Sequence, residues 1–352
     1  MKARSEIALH PSARKSPGTE AWRALGARAW IWGVLASAAL VSARADQVVV
    51  VVGVSGDEQY ASVFAEEAGR WEKACAATST PCVVIGESAP GQLADRDRLQ
   101  RTLEAAPKTS GGKFWLVLIG HGTFDGQEAK FNLRGPDFTA SELALWLQPF
   151  RRPLAVIDTS SASAPFLSKL SGPDRVIITA TRSGEELNYA RFGTYLAAAL
   201  TDPQSDLDRD GEVSLLEAFL SASAKLAEFY KTAGQLATEH PLIDDNGDGL
   251  GTPPDWFQGV HAVKRAQDGA PADGLLAQQF VLIPSASAQQ LTPAQRAERD
   301  RLELLVARLR DAKAKLPAPD YYAQLEPLLL QLARLYAAPP AAVNGSSHTP
   351  GY

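Results

Sequence analysis

The chain has 352 residues, 35 of them Lys or Arg and 40 Asp or Glu, for a formal net charge of −5. With 45% hydrophobic and 21% charged residues, 27 Gly and 23 Pro, its composition is that of a folded globular protein, which excludes a wholly disordered, collagen-like or polytopic membrane chain. The acidic balance excludes a nucleic-acid partner, whose phosphates need a basic stripe. Two cysteines are too few for a disulfide scaffold or a Cys-rich zinc site.

Residues 1–45 read as an export signal. Lys2, Arg4, Arg14, Lys15, Arg23 and Arg28 make a basic n-region, residues 29–41 an apolar run, and Ala43-Arg44-Ala45 a small-x-small cleavage site before Asp46. The apolar run is shorter than the roughly 20 residues that cross a bilayer, so no stable membrane span is expected after cleavage. The expected location is the periplasm or the cell exterior. Cys75 and Cys82 would then meet an oxidising compartment. Thr78, Ser79 and Pro81 read as a turn between them, so the pair reads as a disulfide closing a short loop, with two buried free thiols as the alternative.

In chain order, residues 47–53 (QVVVVVG) form a continuous β-branched run of the fully buried strand type. Residues 57–74 read as a helix with Tyr60, Phe64, Ala68 and Trp71 on one face. Strands are expected at 81–85, 113–119 (KFWLVLI), 154–159 (LAVIDT) and 175–180 (RVIITA), with helices at 94–105, 139–147, 164–170, 192–200 and 214–230, and a short hairpin strand at 128–133. Apolar strands alternating with helices indicate an α/β fold with a mostly parallel central sheet covered on both faces. Such sheets carry their sites at the carboxyl ends of the strands. Residues 264–291 read as a linker with one edge strand near 280–283. Thr292, Pro293 and Gln295 open a helix by a capping box, and Leu302, Leu305, Val306 and Leu309 give it an apolar stripe. A second amphipathic helix over 320–336, with Pro327 inside it, completes a helical hairpin over 292–337. This hairpin could pack on the core or recruit a helical partner. A Pro-, Ala- and Ser-rich tail over 338–352 reads as disordered.

Two strand ends carry chemistry-bearing residues. The third strand ends in His121-Gly122, and the fourth in Asp158-Thr159-Ser160-Ser161-Ala162. A buried strand ending in His-Gly, followed about forty residues later by one ending in Asp-x-nucleophile, resembles the caspase/legumain superfamily of cysteine peptidases. The resemblance covers roughly residues 47–235, and the string 179–185 (TATRSGE) points to bacterial legumain-like proteins within it. It implies a three-layer caspase-like sandwich, with His121 at the position of the catalytic His and Ser160 at that of the catalytic Cys. It also implies backbone N–H groups near Gly122 in the oxyanion hole. A thiol ionises readily and tolerates a loosely placed imidazole, whereas a serine needs a tightly held base oriented by a carboxylate. Asp125, four residues past His121, is the one nearby candidate for that role. Three readings follow. One is a non-catalytic module holding a peptide or protein ligand in its cleft. Another is a hydrolase using Ser160 and His121. The last is a structural factor of the envelope acting through its C-terminal helices.

Residues 206–217 place Asp206, Asp208, Asp210 and Glu217 at positions 1, 3, 5 and 12 of an EF-hand calcium loop. Gly211 stands at position 6, Glu212 at 7, Val213 at 8 and Ser214 at 9. Ca²⁺ is therefore the expected cofactor. Asp244, Asn246, Asp248 and Gly249 repeat positions 1, 3, 5 and 6, with Asp255 at 12. Gly251 and Pro253-Pro254 depart from the pattern, so this stretch reads either as an irregular second site or as an Asx-rich turn. Removing residues 1–45, which hold seven basic and two acidic groups, leaves a net charge of −10.

Overall fold

The computed structural model describes residues 46–87, 92–109, 111–267 and 269–337. The expected export signal and the expected disordered tail lie outside these residues. The central sheet is built from β1 (Gln47–Val52), β2 (Cys82–Ile85), β3 (Phe114–Ile119), β7 (Leu154–Asp158), β8 (Arg175–Thr179) and β9 (Leu242–Asp244), in the order β2-β1-β3-β7-β8-β9. All neighbours pair in parallel except β9, which runs antiparallel to β8 at one edge.

The two-sided apolarity of the strands follows from this position. Val48, Val50 and Val52 face one layer, formed by α1 (Glu58–Thr78), α5 (Phe192–Ala199) and α6 (Leu215–Ala233). Val49 and Val51 face the other, formed by α2 (Asp95–Ala105), α3 (Ala140–Leu147) and α4 (Ala164–Leu170). Successive side chains point to opposite faces, and both faces are buried, so no position can be polar until the strand ends. The result is a three-layer α/β sandwich. The expected hairpin strand belongs to a small antiparallel sheet of β4 (Gly122–Phe124), β5 (Ala129–Phe131) and β6 (Phe138–Thr139), which leads the chain from His121 to α3.

Local signals set the helix ends. Asp57 caps α1 by accepting from Gln59 N, and Thr139 with Glu142 closes a capping box on α3. Ser214 and Glu217 do the same for α6.

The expected linker at 264–291 is corrected by the structure. After the short ribbon of β10 (Phe257–Gln258) and β11 (His261–Ala262), Ala277, Phe280 and Leu282 are buried in the core beneath α6. The expected edge strand reduces to one bridge between Ser214 and Val281, and α7 (Ala286–Gln290) follows. A Gly-, Ala- and Ser-rich composition concealed the few apolar residues that anchor this stretch. The hairpin of α8 (Pro293–Ala312) and α9 (Ala318–Ala337) forms as expected, with α9 continuing through Pro327. Residues 46–337 belong to one compact unit.

Candidate functional site

His121 and Ser160 both lie at the carboxyl edge of the sheet, just beyond β3 and β7. The residues between them explain why the edge is closely packed. A Cβ on Gly122 would stand 2.2 Å from the Ser161 carbonyl oxygen and 3.1 Å from Ser160 Oγ. Only glycine allows the two loops to approach this closely.

The His121 ring is half-buried among Tyr60, Phe64 and Tyr189, with centroids 5.0, 5.3 and 6.1 Å away. Its Nε2 lies 3.2 Å from the Ser55 carbonyl oxygen. A carbonyl only accepts, so Nε2 carries the proton and Nδ1 is left as the basic nitrogen of the neutral ring. Burial pushes the imidazole below its ordinary value, against the upward pull of the Ser55 carbonyl.

Ser160 is 0% exposed. Its hydroxyl donates to Asp158 Oδ1 at 2.6 Å, and Ser160 N donates to the same oxygen at 3.0 Å. The Ser160 proton is thus committed to the carboxylate two residues upstream, and no hydrogen bond joins Ser160 to His121 among the described residues. Gly122 N, the expected oxyanion donor, donates instead to Ser161 Oγ at 3.1 Å. Ser163 Oγ accepts from Ala180 N and Thr181 N. Every serine of the 160–163 turn is therefore a buried structural clamp. Asp125 does not orient His121. It is exposed, and its Oδ1 accepts from Gln127 N and Glu128 N to close a turn.

Two buried carboxyls lie beneath the site. Asp158 is pushed up to about 7 by burial, against the Ser160 hydrogen bonds, and its Oδ2 has no hydrogen-bond partner among the described residues. Glu67, on α1, lies 3.1 Å from Thr159 Oγ1 and is pushed up to about 8 by burial. The sequence reading missed Glu67, since a single acid at a core-facing helix position gives no separate signal. It also missed Glu239, which accepts from Arg191 N, Phe192 N and Tyr230 Oη and so caps the start of α5. Glu186 pairs with His240 Nδ1 at 2.5 Å across the same edge.

The loop at 206–217 takes the turn expected of it. Asp206 Oδ2 accepts from Gly211 N, Asp208 Oδ1 from Asp210 N, and Asp210 Oδ1 from Glu212 N. Asp206, Asp208 and Asp210 bring one oxygen each within 4.8 Å of one another, the one group of three such ligands among the described residues. Burial and the neighbouring Asp208, Glu212 and Glu217 push Asp210 up to about 6. Glu217 accepts from Leu207 N and Asp208 N through one oxygen and from Ser214 through the other.

Glu212, at position 7, would offer a cation its backbone carbonyl and not its side chain. Its carboxylate turns away from the loop, to Ser285 N and Oγ and to Arg299 Nη1. Ser214 Oγ is likewise taken by the α6 capping box.

The second loop repeats the same local bonds. Asp244 Oδ2 accepts from Gly249 N, Asn246 Oδ1 from Asp248 N, and Asp248 Oδ1 from Leu250 N. Gly211 and Gly249 both have positive φ, of 90° and 76°, which is why glycine recurs at position 6. Asp255 is exposed in the short turn Pro254–Trp256 and joins no such cluster. Asp245, between the expected ligands, accepts from Gly274 N, Leu276 N and Ala277 N, while Asp273 accepts from Asp245 N and Asn246 N. This loop therefore also works as an Asx-rich clamp on residues 273–277.

Cys75 and Cys82 are both free thiols here, at the end of α1 and the start of β2. They lie against each other: their hydrogen bond, with burial, pushes Cys75 up, and the same bond lowers Cys82. A cavity of about 560 Å³ lies at the opposite, amino-terminal ends of the strands, lined among others by Lys113, Gln279, Arg296 and Asp300.

No family model and no curated protein matches the chain. Among solved structures it is similar to caspase-1 from Spodoptera frugiperda, with 9% identity and a TM-score of 0.37 over 57% of this chain and 86% of that one. It is similar to the Drosophila initiator caspase Dronc, with 14% identity and a TM-score of 0.35 over 57% and 79% of the two chains. A third likeness is to Chaetomium thermophilum Raptor, with 10% identity and a TM-score of 0.34 over 83% of this chain and 25% of that one.

Proposed function

We propose that the chain is an exported, non-catalytic protein of the caspase/legumain-like type that holds a peptide or protein segment at the carboxyl edge of its sheet. The observation that carries this reading is the Ser160 hydroxyl, which is fully buried and donates to Asp158 rather than to His121. A nucleophile needs both a base within hydrogen-bond reach and an open path to the substrate carbonyl. Ser160 lacks the open path, its hydroxyl is bonded to the equally buried Asp158 rather than to the His121 imidazole, and the amide that would hold an oxyanion is occupied by Ser161. Exposed Val54 and Leu187 beside the His121 and Ser160 loops offer apolar contact to a ligand.

The test is peptide turnover together with active-site labelling. No cleavage of a mixed peptide library and no fluorophosphonate label on Ser160 are expected, in wild type and His121→Ala alike. Turnover that disappears in Ser160→Ala would overturn the reading.

Ca²⁺ binding at 206–217 is part of the same proposal, supported by the three clustered carboxylates and by the loop's internal bonds. Hard oxygen ligands suit Ca²⁺, and the cation would neutralise the repulsion that raises Asp210. Export would also place Cys75 and Cys82 where touching thiols oxidise. Loss of two alkylatable thiols in the secreted chain, against the cytoplasmic one, tests that expectation.

A further inference from the structure

We propose that α9 is a homodimerisation helix, which pairs antiparallel with α9 of a second copy of this chain about a twofold axis beside Leu329 and Leu330. Leu325, Leu328, Leu332 and Leu335 of α9 are half-buried on the side carrying the buried Tyr321, which packs toward α8. A second apolar face is left open. Tyr322 is 58% exposed, Leu329 46%, Leu330 50% and Tyr336 48%, and Ala323, Ala333 and Ala337 are exposed between them. On a helix of 3.6 residues per turn these positions form one continuous stripe about 22 Å long. Isolated exposed apolar residues need no explanation, but a contiguous stripe of this kind marks an interface.

The arrangement of residues along the stripe selects the occupant. A twofold contact is self-complementary, so each residue must suit the one at its mirrored position. An antiparallel register centred between Leu329 and Leu330 sets Leu329 against the partner's Leu330. The same register sets Tyr322 against the partner's Ala337 and the partner's Ala323 against Tyr336, a large ring over a methyl group at both ends. Tyr336 leans toward Arg299 of its own chain and keeps half its surface free for this contact.

The charges obey the same symmetry. Glu326 and Arg334 lie on opposite sides of the centre, and the register, which sets Glu326 against the partner's Ala333, brings Glu326 of each copy within a turn of the partner's Arg334. Both residues are exposed, and neither forms an ion pair among the described residues. A parallel pairing would place Glu326 against Glu326 and Arg334 against Arg334. An unrelated partner would give no reason for this mirrored pattern.

The test is sedimentation equilibrium of the purified chain from about 1 to about 200 µM, a range suited to a small, weak interface. A reversible monomer–dimer equilibrium is expected, abolished in Leu330→Glu. Glu326→Arg and Arg334→Glu should each weaken the dimer about tenfold, since each places two like-charged contacts in it. The double variant should return to within about threefold of wild type. All three substitutions are at exposed positions, and unchanged circular dichroism establishes that the helices persist. A chain that stays monomeric throughout leaves the face to another molecule and overturns the proposal. So does a dimer indifferent to Leu330→Glu, or a double variant as weak as the singles.

Discussion

At the residue scale, the turn after β7 is fixed by hydrogen bonds among its own buried polar groups. Asp158 takes both the hydroxyl and the amide of Ser160, and burial holds Asp158 near 7 and Glu67 near 8. A carboxyl whose folded value is raised above its unfolded value favours the folded state while it stays protonated. That stability is present below about 4.5, the ordinary value of Glu67, and is lost as pH rises toward about 8. The protein is therefore expected to melt at lower temperature at pH 8.5 than at pH 5.5 in chelator. Glu67→Gln removes the titrating group and should flatten this slope, with a gain on the order of 1–2 kcal/mol at pH 8.5. Thermal melts of both proteins across that range measure it, and an equal slope in the two would remove Glu67 as the cause.

At the element scale, the Ca²⁺-type loop is tied to the C-terminal hairpin by one buried ion pair. Glu212 and Arg299 lie 3.2 Å apart with side-chain exposures of 6% and 8%. Glu212 also accepts from Ser285 N at the start of α7, so a single carboxylate joins the loop, α7 and α8. Arg299→Met leaves Glu212 buried without its cation, and removing one partner of a buried pair costs about 3 kcal/mol. The expected readout is a fall in unfolding free energy of that size in urea, with amide exchange in α8 and α9 rising more than in the central sheet. Uniform change across the chain would show that the pair does not hold the hairpin in particular.

The same elements show what was legible in advance. The loop over 206–217 was read from residue types at fixed spacing, because the bonds that shape it close within the loop: from the Asp side chains to backbone two to five residues on, and from Glu217 back to Leu207 N and Asp208 N. The partner of Glu212 was not legible, since Arg299 lies 87 residues further along the chain. Likewise the stretch at 273–282 read as a linker, because its burial depends on Asp245, Asp273 and the underside of α6 rather than on its own composition.

At the scale of the whole molecule, the acidic balance bears on Ca²⁺. Ca²⁺ bound to the native state alone stabilises it by mass action, by about 2.7 kcal/mol at a hundredfold excess over the dissociation constant. Millimolar Ca²⁺ is expected to raise the melting temperature relative to chelator, and Asp208→Asn with Asp210→Asn to abolish the shift. Both side chains are outside the core, so the double variant tests the loop without disturbing α6. Equal melting curves with and without Ca²⁺ would remove the cation from the account.

By itself the sequence determined the alternation of strands and helices, the mostly parallel sheet and the strand ends where His121 and Ser160 stand. Those features follow from local periodicity and from the rule that strands buried on both faces must be apolar along their length. It also determined the caps and the acidic loop, whose hydrogen bonds close within a few residues. Only the tertiary structure decided that Ser160 gives its proton to Asp158 while His121 bonds to Ser55. It alone decided that Ser161 occupies Gly122 N and that one face of α9 is left without a cover among the described residues. Apart from the Ser160–Asp158 bond, which spans two residues, each of these is a choice among partners distant in sequence, and it is fixed by how the layers pack rather than by the residues' own preferences.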